Sequence, residues 1–134
     1  MKNKIKNILP LKHSQHVILG TGLIGIGLIL ICNDYYFFWP PFAAGFLNDD
    51  LVGGIFIVIG GLLIHWALGN KNSIAVNRNL LITSAGLLGT EASAEFIHGY
   101  ISGHPHMFMA GWGMIILLLF TFSIIGKSSK HENY

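Results

Sequence analysis

Charge is what this sequence has least of. Only 10% of its 134 residues are Asp, Glu, Lys or Arg, against roughly 25% in a soluble domain. Hydrophobic residues make up 52%, and the mean hydropathy is +0.60. That balance excludes an ordinary soluble chain and indicates an integral membrane protein. Cysteine is nearly absent: Cys32 stands alone, which rules out an intrachain disulfide and any CxxC metal motif. Enzyme signatures are missing too. There is no GxSxG, P-loop or HExxH, and Gly-x-x-Gly-x-Gly at 22 to 27 lies inside an apolar run, where it reads as helix packing. The chain is therefore not expected to be an enzyme. The formal net charge of +2 comes from cations spread over three places, with no basic face interleaved with aromatics, so no nucleic acid is expected as a partner.

What is present is a series of apolar runs. Each membrane span takes about 17–25 residues, so the chain accommodates four spans with short connections and no separate soluble domain. The expected fold is all-α: four transmembrane helices in one compact bundle, with spans at about 17–32, 51–68, 79–101 and 107–125. Lys2, Lys4, Lys6 and Lys12 precede the first run in a pattern shared with secretory signals, but no small-x-small cleavage site follows, and the run is read as an uncleaved span. Gly20, Gly22, Gly25 and Gly27 within it, and Gly53, Gly54, Gly60 and Gly61 in the second span, favour close backbone approach inside a bundle or between protomers. Between these spans lies YYFFWPPF at 35–42, suited to a headgroup-level belt or a short re-entrant turn.

All Lys and Arg fall in the N-terminal segment, the Gly69 to Arg78 loop and the C-terminal tail. The positive-inside rule then places both termini in the cytoplasm of a multi-pass protein of the cell membrane. Asp34, Asp49, Asp50, His104 and His106 come to the outer side. His13 and His16, beside the lysines, read as solvated at the inner boundary.

The costly stretch is Asn79 to Ile101, which carries Glu91, Glu95 and His98. At about 100° per residue these three fall within roughly 60° of one another, and Ser84 and Ser102 continue the same stripe. An ionisable side chain at mid-bilayer costs about 2.5–3.5 kcal/mol or more unless it faces a partner or water. Glu91 lies about 15 Å below the outer surface by the helical rise of 1.5 Å per residue, and His98 is close to that surface. Glu91 and Glu95, at i and i+4, share a face, and repulsion opposes ionising both together.

Three readings of the seam follow. In one, its members are packing polars that fix helix register. In the second, Glu91, Glu95, His98 and Ser84 line a proton or cation pathway. In the third, the Glu-x-x-His spacing of Glu95 and His98 joins His104, His106, Asp49 and Asp50 in a shell for a divalent transition metal; no other cofactor is implied. The favoured expectation is an oligomeric permeation or accessory subunit, with the lipid bilayer and further copies or a larger membrane assembly as partners. The alternatives are a non-transporting interaction, regulatory or immunity-type membrane protein, and a lesion former of the holin kind. Short chain, compact loops and basic ends are common to small bacterial and phage membrane proteins, holins included, and this general likeness transfers no functional residue.

Overall fold

The computed structural model describes residues 13–33, 41–42, 45, 50–70 and 73–130. The belt expected at 35–42 falls almost wholly outside them, as do Asp34 and Asp49. Among the described residues the long elements are four helices: α1 (Ser14–Ile31), α2 (Asp50–Leu68), α3 (Ile74–Ser102) and α4 (Pro105–Lys130). Each is long and apolar enough to cross a bilayer. At 1.5 Å per residue the 29 residues of α3 reach about 43 Å, more than the roughly 30 Å of a hydrocarbon layer, which such a helix crosses only by tilting or projecting beyond it.

Local chemistry sets the ends. Ser73 caps α3, its hydroxyl accepting from the Val76 amide at 3.5 Å, so the helix begins five residues before the apolar run does. Gly103 stops it in the left-handed region at φ 68°, and its amide donates to the Gly99 carbonyl at 3.0 Å. Pro105 then occupies the first position of α4, where its missing amide hydrogen costs nothing. The result is a two-residue reversal between the longest helices.

The bundle is two tight hairpins, with α1 against α2 and α3 against α4, and much sparser contact between the pairs. Glycine creates the first hairpin. A methyl group on Gly20 would lie 2.6 Å from the Gly60 carbonyl oxygen, and one on Gly27 would collide with the Gly53 carbonyl. Both pairs are spaced by seven residues, so the same antiparallel contact recurs every two turns. Gly25, Gly54 and Gly61 meet nothing within 4 Å, leaving three of the eight glycines expected at interfaces on open faces. The second hairpin uses aromatics: Gly111 lies under the Phe96 ring, which stacks edge-on to Trp112 at 5.9 Å.

Leu19 and Leu23 from α1, Phe56 and Leu63 from α2, Leu81 and Leu88 from α3, and Ile124 from α4 form a common core. Outside it, Ile18, Val58, Ile82, Ile116 and Leu119 are exposed. An apolar surface on every helix suits a lipid solvent.

Candidate functional site

The inward face of α3 reads in a 4,3 rhythm: Asn77, Leu81, Ser84, Leu88, Glu91, Glu95, His98, all buried. The seventh-residue positions are Asn77, Ser84, Glu91 and His98, a polar stripe interrupted by leucines. Because 3.5 residues per repeat holds a stripe against its neighbours along a packed helix, the polar groups stay inside from one end to the other. They span 22 residues, about 32 Å at the helical rise, which matches the hydrocarbon thickness.

The expected seam residues are all enclosed: Glu91 retains 2% of its surface, Glu95 1%, and His98 and Ser84 none. The Ser84 hydroxyl donates to the Leu80 carbonyl at 2.7 Å. Glu91 Oε1 is buried without a hydrogen-bond partner among the described residues. An acceptor in that position draws water, a cation or a proton.

The groups expected on the outer side divide differently. His98 is buried, whereas His104 and His106 are exposed, with ring centroids 5.3 Å apart. Asp50 opens α2 and is exposed, where a carboxylate favours the helix N-terminus. Among the described residues no three His, Cys, Asp or Glu side chains come together as metal ligands; Asp49 lies outside them. His65 is also exposed, on the rim of a cleft of about 230 Å³ between α2 and α3 that Leu62, Trp66, Ser73, Val76 and Leu80 help to line.

At the opposite end of the stripe the structure assembles a second polar cluster. His16 is buried, at 5% exposure, and not solvated as its neighbouring lysines imply. Its Nε2 is 2.8 Å from Asn77 Oδ1, and Asn77 Nδ2 donates to Ser128 Oγ at 3.4 Å. Trp66 lies over the His16 ring, centroids 4.8 Å apart and 37° tilted, and its indole N–H is held by the Ser73 carbonyl at 3.0 Å. All four helices thus meet at this level. One heptad further along α3, Ser84 has its counterpart in Thr121 on α4, seven residues before Ser128. Thr121 is wholly buried, its hydroxyl donating to the Leu117 carbonyl at 2.8 Å. Asn77 was findable as a seventh-residue partner of the seam; Thr121 is on another helix, and His16 carried no such signal, since its own seventh-residue positions, Leu23 and Leu30, are apolar.

No protein-family model, curated protein or solved structure matches this chain.

Proposed function

We propose that this chain is a four-span protein of the cell membrane, with both termini cytoplasmic, that conducts protons or small cations as an oligomeric permeation unit or as the accessory subunit of one. The supporting observation is the enclosure of two carboxylates and an imidazole within eight residues of one face of a membrane-length helix. A protein that needed only packing would place leucine there at no desolvation cost. Ionisable groups inside a bilayer face protein or water, and three such groups stacked along about a third of its thickness can pass a proton or strip and hold a cation.

The polar rows stand about 10 Å apart along α3, beyond direct hydrogen bonding, so transfer between rows runs through roughly three intervening waters. The open faces carrying Gly25, Gly54 and Gly61 are the surfaces for contact between copies. The test is flux: purified protein in liposomes carrying a pH-sensitive dye, under an imposed potential. Uptake of protons above protein-free liposomes, lost in Glu91→Gln, supports conduction. Absence of proton and alkali-cation flux sinks it and leaves a non-transporting interaction protein.

A further inference from the structure

We propose that His16 is the inner-side proton station of the seam, positioned by Asn77 and covered by Trp66. The inference rests on reading the seam as a proton path, and adds the end of that path which lies on another helix.

The chemistry follows from the hydrogen bonds. Asn77 Nδ2 donates to Ser128 Oγ, and Oδ1 is the atom that faces His16. A carbonyl oxygen can only accept, so His16 Nε2 carries the hydrogen and, in the neutral ring, Nδ1 carries the lone pair. Nδ1 is buried without a hydrogen-bond partner among the described residues. A proton added there forms the Nδ1–H bond and an imidazolium that keeps its Nε2–H···Oδ1 bond. Its loss restores the neutral ring, so the cycle needs no co-reactant.

The surroundings suit that cycle. The Trp66 ring lies 4.8 Å from the imidazole, within the roughly 6 Å over which an aromatic face attracts a cation. Its indole is tied to the Ser73 carbonyl, which fixes the face it offers. The other ionisable group against the ring is His13, edge-on at 5.6 Å. His65 on α2, Arg78 on α3 and Lys127 on α4 flank the contacting residues and are exposed. In the sequence four lysines precede His16; one heptad along α3 from Asn77 lies the row of Ser84 and Thr121. A structural clamp alone would be served equally well by glutamine, which also donates to Asn77 but takes up no proton near neutrality.

That difference is the experiment. Full-length wild type, Glu91→Gln, His16→Gln and Trp66→Phe are compared for proton flux in liposomes, with assembly checked by gel filtration and helicity. The expected result is a correctly assembled His16→Gln whose flux falls tenfold or more, and a Trp66→Phe between the two. Wild-type flux that Glu91→Gln abolishes and His16→Gln leaves intact would overturn the station while the seam reading stands. Wild type without flux would end the seam reading and the station with it. Should His16→Gln fail to assemble, the decision passes to the imidazole nitrogen resonances of wild type in bilayers. A His16 Nδ1 that gains a proton over the pH range in which flux changes supports the station, and one that stays unprotonated throughout overturns it.

Discussion

His16 and Asn77, 61 residues apart in the chain, meet at 2.8 Å and join the first hairpin to the second at one end of the bundle. The core the hairpins share is apolar, and their backbones are farther apart than within each pair. An interhelical hydrogen bond in a membrane protein contributes about 0.6 kcal/mol on average and up to about 1.7. Asn77→Leu, which also strands His16 Nε2, is expected to lower stability in detergent by about 1 kcal/mol. Thermal unfolding measured beside Asn77→Gln, which retains the amide, checks this; equal losses in both would mean that shape and not the hydrogen bond is what matters.

Glu91 should distinguish charge from shape. Glutamine is nearly isosteric with the protonated acid and is expected to fold and assemble like wild type, while eliminating proton flux. Lysine at the same enclosed position adds bulk and a cation at mid-bilayer, a penalty of about 2.5–3.5 kcal/mol on insertion alone. Glu91→Lys should therefore reduce the membrane-inserted yield sharply. Quantitative membrane fractionation of the two variants decides it, and a Lys variant recovered at wild-type yield would place Glu91 at a hydrated surface.

The glycine contacts make a position-specific prediction. Gly27→Val and Gly60→Val drive side chains into a facing backbone, and overpacking of this kind costs about 1–3 kcal/mol or separates the helices. Gly54→Ala, at a site with nothing within 4 Å, should leave the monomer unchanged. Crosslinking between cysteines placed on α1 and α2 reports the separation directly. If Gly54→Ala weakens self-association without touching that crosslink, the open glycine face is an interface between copies.

Gly103, at φ 68°, sits where a Cβ is disfavoured by about 1–2 kcal/mol. Gly103→Ala should lower the unfolding midpoint by that amount while leaving the rest of α3 intact. Indifference to the substitution, measured by chemical denaturation in mixed micelles, would mean that the reversal into α4 tolerates another backbone path.

Sidedness has a native probe. Cys32 is exposed just past the end of α1, at the end expected outside. A membrane-impermeant maleimide should modify it in intact cells, and should modify a cysteine at Asn70 in a Cys32→Ser background only after the cells are opened. The reverse pattern would invert the topology and put His98 on the cytoplasmic side.

The four membrane-length helices and the common buried face of Glu91, Glu95, His98 and Ser84 were legible because hydropathy and a 100° step depend on sequence order alone. The start of α3 was not, since the run Asn79 to Ile101 is defined by apolar residues, whereas the helix begins at the Ser73 cap. Moving that start back brings Asn77 into the stripe. The burial of His16 was hidden for a different reason: its lysine neighbours set the average polarity of the segment, while the fate of one imidazole is decided by Trp66 and Asn77, which arrive from helices more than 45 residues away. Nor could the spacing of Gly20, Gly27, Gly53 and Gly60 reveal which glycines serve the hairpin and which the open face.

The division into two hairpins has a consequence for biosynthesis. Within each pair the contacts join segments adjacent in the chain, so the closure entropy of each pair is small and neither waits for the other. The chain can enter the bilayer as two helical units in succession, and the buried polar atoms of α1 and α3 find each other only when the second unit docks. Cells that make residues 1–70 and 71–134 as separate polypeptides should therefore recover the whole assembly, and the last-formed contact of the folded protein should be the one between His16 and Asn77.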